Sequence, residues 1–102
     1  MRDVQKEIAE DIKKNKILLY VKGSPEMPQC GFSKAIMDIF HSLNVPFETR
    51  DVLSDPDIRD GVKQYTNWPT IPQVFINGEF IGGCDIVRDL HMRGELKTMV
   101  QK

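Results

Sequence analysis

Residues 17–33, ILLYVKGSPEMPQCGFS, decide the fold because an apolar run passes directly into a turn that ends at a cysteine. Ile17–Val21 has the composition of a buried strand, and Pro25 and Pro28 mark the turn. A helical pattern begins directly after Cys30. The sequence therefore predicts a thiol between a strand and the N-terminus of a helix, where unpaired backbone N–H groups and the helix dipole favour a thiolate.

The position three residues after Cys30 is a serine, Ser33, so the thiol has no partner close by in the sequence. The chain has two cysteines, which are too few for a disulfide scaffold. With His41 and His91, they also lack the paired spacing of a structural zinc site. We interpret Ser33 as the position at which an internal disulfide is excluded, and we expect Cys30 to act with a sulfur from elsewhere.

The composition is that of a folded globular protein, with 102 residues, 40% hydrophobic and 28% charged, and we expect one domain over residues 1–102. The net charge of -1 gives no general attraction to nucleic acid or to an anionic membrane. The apolar run at 17–21 is too short to cross a bilayer, and the N-terminus has no signal-peptide pattern. These features favour a reducing cytoplasm, or an organelle matrix if a presequence has been removed.

Periodic apolar residues predict one helix before and one helix after the strand at 17–21 in the sequence. Val4, Ile8 and Ile12 recur at intervals of four and indicate a first helix. A second helix has one broad apolar face and stops near Asn44; the face is formed by Phe32, Ala35, Ile36, Ile39, Phe40 and Leu43. Residues 47–52 follow as a strand.

The second half of the chain predicts a helix, a hairpin and two further helices. Asp55-Pro56 is typical of a helix start, with a capping side chain and a first-turn proline. Residues 74–81 predict a β-hairpin around a two-residue Asn77-Gly78 turn. Gly82-Gly83 then breaks the strand, and helices follow from Cys84 and near Leu96. This order predicts an α/β fold of the thioredoxin-like type, with a four-stranded mixed sheet flanked by helices.

Four short motifs in this order make the chain recognisable. It resembles the monothiol glutaredoxins, the branch marked by Cys-Gly-Phe-Ser, over residues 4 to 100. The motifs are Lys22-Gly23-Ser24-Pro25, Pro28-Gln29-Cys30-Gly31-Phe32-Ser33, Trp68-Pro69-Thr70-Ile71-Pro72-Gln73-Val74-Phe75 and Gly82-Gly83-Cys84-Asp85. Each motif alone is weak, but the set of four on matching elements is highly specific.

The resemblance implies a glutathione site around Cys30 and a 2Fe-2S cluster shared between two subunits. Such a cluster commonly takes four thiolates, and two copies of Cys30 with two glutathiones supply four sulfurs. The resemblance therefore implies a homodimer when the cluster is bound and a monomer in the apo form. It also implies iron-sulfur recipient proteins and BolA-like proteins as partners.

The resemblance also assigns residues to glutathione, each with an ordinary structural alternative. It places Lys22 at the glycine carboxylate, the alternative being an ordinary charged strand end. It places Arg59 at glutathione, and Lys63, four residues on, shares that helix face and suits the same anion. Both also fit a solvated helix face with Asp55 pairing to Arg59.

The resemblance implies a cis proline at Pro72, which lets the backbone of Thr70 and Ile71 pair with glutathione, a tripeptide. Gly83, Cys84 and Asp85 bind the γ-glutamyl end in this interpretation. They are equally consistent with a loop and helix cap.

Two residues stay ambiguous at this level. Phe32 either contacts glutathione or a second subunit, or belongs to the core as the first residue of the apolar face of its helix. Cys84 either contributes only its backbone to glutathione binding, or its thiol forms an occasional disulfide with Cys30.

Two functions fit a single activated thiol. The first is a carrier that holds a labile 2Fe-2S cluster and passes it on, with Cys30 as the metal ligand. The second is an oxidoreductase that removes glutathione from mixed disulfides with Cys30 as the catalytic residue. The resemblance favours the carrier, because this chain has extra residues before the thiol and Phe32-Ser33 where dithiol glutaredoxins have Tyr-Cys.

Overall fold

A computed structural model describes residues 2–102 and contains nine elements in the predicted order. The elements are α1 (Val4–Lys14), β1 (Ile17–Val21), α2 (Gly31–Ser42), β2 (Glu48–Asp51), α3 (Pro56–Thr66), β3 (Gln73–Ile76), β4 (Glu79–Gly82), α4 (Cys84–Met92) and α5 (Glu95–Val100). The strands form one sheet in the order β2-β1-β3-β4. β1 and β2 are parallel, and the other two pairings are antiparallel, so the predicted mixed four-stranded sheet is confirmed.

Helices cover both faces of the sheet, as predicted. Alternate residues of β1 point to opposite faces, which is why this strand is buried along its whole length. Leu19 and its like-facing neighbours pack against α2, α4 and α5, whereas Leu18 and Tyr20 pack against α1 and α3. β1 therefore lies between two cores. This packing fixes the point at which the following residues leave the sheet.

The local signals at the predicted turns and caps form the expected structures. Asp55 caps α3 by accepting a hydrogen bond from the Ile58 N–H, and Pro56 occupies the first turn. Asn77 and Gly78 both have positive φ angles, 53° and 81°, which a tight two-residue hairpin turn requires.

Three details differ from the sequence-based prediction. β2 is shorter than the predicted strand at 47–52, although the Val52 N–H still donates to the carbonyl of Val21 at 2.9 Å. Gly82 ends β4 and pairs with Val74 rather than breaking the strand. Phe32 is 59% exposed, so it does not belong to the core, and the apolar face of α2 begins after it.

No helix among residues 2–102 combines the length and apolar character needed to span a membrane.

Candidate glutathione and thiol site

A cavity of about 630 Å³ opens beside Cys30. Its volume lies in the range of small-molecule sites. All eleven residues that the sequence assigned to the site line it: Lys22, Cys30, Phe32, Arg59, Lys63, Thr70, Ile71, Pro72, Gly83, Cys84 and Asp85. They come from four separate segments of the chain, so the fold brings together residues that the sequence could only assign motif by motif. Their roles in binding stay predictions.

The loop before Cys30 is closed by backbone hydrogen bonds. The Ser24 N–H donates to Met27 O at 3.2 Å, the Met27 N–H donates to Ser24 O at 3.1 Å, and the Gln29 N–H donates to Lys22 O at 3.0 Å. Gly23 allows this closure because its φ is 93° and a side chain there would lie 2.5 Å from Met27 O. The extra residues before the thiol therefore form a compact loop of fixed shape.

Cys30 occupies the N-cap position of α2 and is partly exposed. Desolvation raises the pKa of its thiol, but the backbone N–H groups of Ser33 and Phe32, the Ser33 hydroxyl and the charge of Lys22 together lower it below its ordinary value. The side chain makes no capping hydrogen bond of ordinary geometry. The nearby N–H groups thus favour the thiolate, and the effect predicted for a helix N-terminus is present.

Ser33 has a role that the sequence analysis missed. Its side chain is fully buried, and its oxygen accepts a hydrogen bond from the Lys22 N–H at 3.0 Å. Its hydroxyl also helps to lower the pKa of the Cys30 thiol. Ser33 therefore does more than replace a second cysteine, since it links the end of β1 to the thiol. The signal was present in its spacing, because the third residue of a helix can reach back to the N-cap.

Positive charge lines the cavity on the side of α3. Arg59 and Lys63 lie one turn apart on this helix, and both line the cavity. The alternative pairing of Arg59 with Asp55 does not form, because Asp55 pairs with Arg2 at 2.7 Å and Arg59 pairs with the exposed Asp60 at 3.3 Å. Arg59 is thus a cavity residue, and its single acidic partner among the described residues is a neighbour in the chain.

The loop between α3 and β3 supplies main chain to the cavity. Ile71 is 8% exposed and precedes a cis peptide bond to Pro72, as the resemblance implied. Trp68 and Pro69 of the same loop also line the cavity. The Trp68 ring packs edge-on against Phe80 at a centroid distance of 5.9 Å, which agrees with a bracing role for this ring.

The start of α4 forms another side of the cavity. Gly83 is buried at the N-cap, and a side chain there would lie 3.3 Å from both Pro72 O and the Trp68 indole nitrogen. Cys84 and Asp85 follow in the first turn, where a carboxylate is favourable for the helix dipole. Both cysteines line the cavity, and neither is in a disulfide.

Exposed apolar side chains border the same opening. Phe32, Leu53 and Ile86 are 59%, 48% and 41% exposed and line the cavity, and Met27 on the adjoining loop is 67% exposed. The sequence analysis considered only Phe32 of these. The others were missed because their surroundings depend on how three separate elements meet, which no local pattern records.

Within residues 2–102, no three His, Cys, Asp or Glu side chains come together as a metal-binding group.

Comparisons with known proteins agree with this geometry. The family model described as glutaredoxin matches residues 17–81. An uncharacterized monothiol glutaredoxin of Synechocystis is 54% identical over 87 residues, which are 85% of this chain and 81% of that protein. Other curated relatives range from proteins of similar length to proteins of which this chain spans about half.

Solved structures show the same fold. A monomeric truncated mutant of Trypanosoma brucei 1-C-Grx1 superposes with a TM-score of 0.88 and 40% identity, covering 99% of this chain and 92% of that one. A buckwheat glutaredoxin in complex with glutathione gives a TM-score of 0.85 at 27% identity, covering 96% and 87%.

Proposed function

Because the chain belongs to the glutaredoxin family and resembles its monothiol members, we propose that it binds glutathione beside Cys30 and carries a 2Fe-2S cluster between two copies of itself. The observation that carries the proposal is a thiol of lowered pKa at a cavity lined by separated charges. Lys22, Arg59 and Lys63 are the cations of the lining, and Asp85 and Asp60, which pairs with Arg59, are its anions. Glutathione has two carboxylates and one ammonium group, which this set complements.

Main-chain contacts complete the proposed complex. The backbone at Thr70 and Ile71 pairs with the tripeptide in the manner of an added strand, while the N–H groups of Cys84 and Asp85 donate to the γ-glutamyl carboxylate. These contacts orient the glutathione sulfur toward Cys30. The buckwheat complex supports glutathione as the ligand, since its chain shares this fold.

The donor set fits a shared cluster because one chain presents one activated thiolate. A 2Fe-2S cluster commonly takes four thiolates, so Cys30 and one glutathione from each of two copies complete the set. The cluster itself is the group that the dimer passes to a recipient protein. Cys30 holds a thiolate available as ligand, and Lys22 keeps a positive charge near it. The exposed border of Met27, Phe32 and Leu53 is suited to meeting the second copy or a recipient.

The low pKa of Cys30 also supports a second function, removal of glutathione from protein mixed disulfides. The Cys30 thiolate attacks the glutathione sulfur, the protein sulfur leaves as a thiolate, and a Cys30–glutathione disulfide remains. A second glutathione thiolate then attacks that disulfide, which releases oxidised glutathione and restores Cys30. No second protein thiol is needed.

Anaerobic reconstitution with iron, sulfide and glutathione separates these functions. The carrier predicts a brown dimer that bleaches when glutathione is removed, and a colourless monomer with rapid disulfide reduction would contradict it. Cys30→Ser is expected to lose both behaviours, whereas Cys84→Ser, which removes the other thiol of the cavity, is the matched control and keeps both. The protein should fractionate with the cytoplasm or an organelle matrix rather than with membranes.

A further inference from the structure

Gln73 is a buried polar side chain that the proposed chemistry does not use. It is the first residue of β3 and has no exposed surface. A buried amide is costly unless its hydrogen bonds are satisfied. Here the side-chain nitrogen donates to the carbonyl of Trp68 at 3.1 Å and to that of Thr70 at 3.2 Å. The side-chain oxygen lies 2.9 Å from the Thr66 hydroxyl, whose one proton is shared with the Val62 carbonyl at 3.0 Å. All three bonds reach back toward the preceding helix and loop.

These bonds join two parts of the cavity wall. Thr66 ends α3, the helix that contributes Arg59 and Lys63 to the cavity, and Trp68 and Thr70 belong to the loop that contributes main chain. In the part of the chain that the structure describes, no other side chain donates to a carbonyl between residues 67 and 72. The amide of Gln73 is therefore the side-chain restraint on the shape of this loop.

We propose that Gln73 is a positioning residue for glutathione, because its amide fixes the loop main chain at Thr70 and Ile71 relative to α3. The role rests on the proposed function. An amide suits it because its two N–H groups can satisfy both loop carbonyls at once while its oxygen accepts from the helix. A methionine of similar length can fill the space but leaves both carbonyls and the Thr66 hydroxyl without this partner. The loop keeps the bond from the Trp68 N–H to the Lys63 carbonyl but loses its side-chain hydrogen bonds at Trp68 and Thr70, and binding must supply the cost of ordering the main chain there.

The test compares two destabilised variants, of which one alters the loop and the other does not. Gln73→Met removes the amide, and Val100→Ala opens a cavity in the core on α5, away from the loop. Urea unfolding establishes how far each variant is destabilised, and glutathione affinity is measured by titration calorimetry. We expect Gln73→Met to bind glutathione about tenfold more weakly, which corresponds to about 1.4 kcal/mol, and Val100→Ala to bind it as the wild type does. The pKa of Cys30, read from alkylation rates, stays unchanged in both, since no side-chain hydrogen bond of Gln73 reaches residues 22–33.

Equal affinities of Gln73→Met and Val100→Ala would overturn the positioning role. If Gln73→Met fails to fold, Thr66→Val provides the second test. It removes the hydroxyl that contacts both Gln73 and the Val62 carbonyl but leaves the amide bonded to the two loop carbonyls, and it is expected to weaken binding about threefold. If the wild type itself does not bind glutathione, the proposed function fails. Backbone NMR relaxation then still tests the restraint: increased mobility of the Thr70 and Ile71 amides in Gln73→Met supports it, and unchanged mobility contradicts it.

Discussion

The cavity has two walls that are held in place by different means. The thiol wall, residues 22–33, is shaped by backbone hydrogen bonds across a closed loop and by a glycine at its base. The second wall, residues 66–73, depends on the side-chain amide of Gln73 for the position of its carbonyls. Cys30 is on the first wall and the proposed main-chain contacts to glutathione are on the second.

This difference separates reactivity from recognition. The pKa of the thiol depends on N–H groups that the helix provides whatever the nearby side chains are, with Ser33 and Lys22 as additions. The shape of the second wall depends on single side chains, so a single substitution can alter it. We therefore expect changes on the thiol wall to alter the stability of the loop or the thiol, and changes on the second wall to alter affinity for glutathione.

The largest effect is expected from Gly23→Ala. A β-carbon at Gly23 would lie 2.5 Å from Met27 O and 2.7 Å from Gln29 N, and the φ of 93° is itself unfavourable for alanine. Strain and overpacking together predict a loss of about 3 kcal/mol in the free energy of unfolding, measured by urea titration.

Gly78→Ala is the matched control for this loss, because Gly78 also has a positive φ but no atom lies within 4 Å of the added carbon. It should lose about 1 kcal/mol. Similar losses in the two variants would show that the closed loop adds no constraint of its own.

Ser33→Ala is expected to have the next largest effect. The Lys22 N–H loses a buried acceptor, which predicts a loss of about 1–2 kcal/mol in unfolding free energy. The pKa of Cys30 should rise toward its ordinary value because one of its lowering influences is removed, so alkylation at neutral pH slows. The pH dependence of iodoacetamide alkylation measures this pKa. Ser42→Ala at the exposed other end of α2 is the control, and an equal thiol pKa in both variants would exclude the role of Ser33.

The sequence predicted the elements and their order because these depend on local signals, whereas the site residues were assigned mainly through the resemblance. The Asn77-Gly78 turn and the Asp55-Pro56 helix start each specify their own geometry within a few residues. The four motifs lie where chain segments leave the sheet or enter a helix. Once the order of the strands is known, those positions meet at one place, so the nine assigned residues that belong to the motifs line one cavity, and Arg59 and Lys63 of α3 complete the set.

The supports of the site could not be predicted in the same way. The pairing of Asp55 with Arg2 instead of Arg59 depends on how α1 lies against α3, across more than fifty residues of sequence. The burial of Ser33 and Gln73 depends on the packing of helices on the sheet, and both residues are usually exposed. Phe32 had the spacing of a core residue, but its position in the first turn of α2 leaves it beyond the sheet.

A smaller effect is expected from Gly83→Ala, which tests the second wall. Its φ of -97° is open to any residue, but a β-carbon would lie 3.3 Å from Pro72 O and from the Trp68 indole nitrogen. These neighbours must shift by a few tenths of an ångström, so stability should fall by less than about 1 kcal/mol. Calorimetry should show weaker glutathione binding. Gly31→Ala on the thiol wall, where no atom lies within 4 Å of the added carbon, should leave affinity unchanged. A larger loss of glutathione affinity in Gly31→Ala than in Gly83→Ala would mean that the walls do not differ as described.

The smallest effect is expected from acid, and it reaches the second wall through the N-terminus of α3. Hydrogen bonds from Arg2 and Arg50 lower the pKa of Glu7, and a hydrogen bond from Arg2 lowers that of Asp55, the cap of α3. A carboxylate with a lowered folded-state pKa stabilises the fold above its unfolded-state value and loses that contribution as the pH falls through the folded value. Unfolding free energy should therefore be flat between about pH 5 and 7 and decline below about pH 4.5, with a modest amplitude because the pairs are partly exposed.

Arg50→Gln tests whether this acid response comes from the ion pairs. Arg50 contacts Glu7, Asp11 and Asp55, so its removal should lower stability at pH 7 and reduce the decline in acid. The stabilities of the variant and the wild type should then converge near pH 3, where the carboxylates are protonated in both. The thiol wall contains no part of this network, so the pKa of Cys30 should be the same in the two proteins. A constant stability difference from pH 7 to pH 3 would mean that Arg50 acts through packing of its side chain and not through its charge.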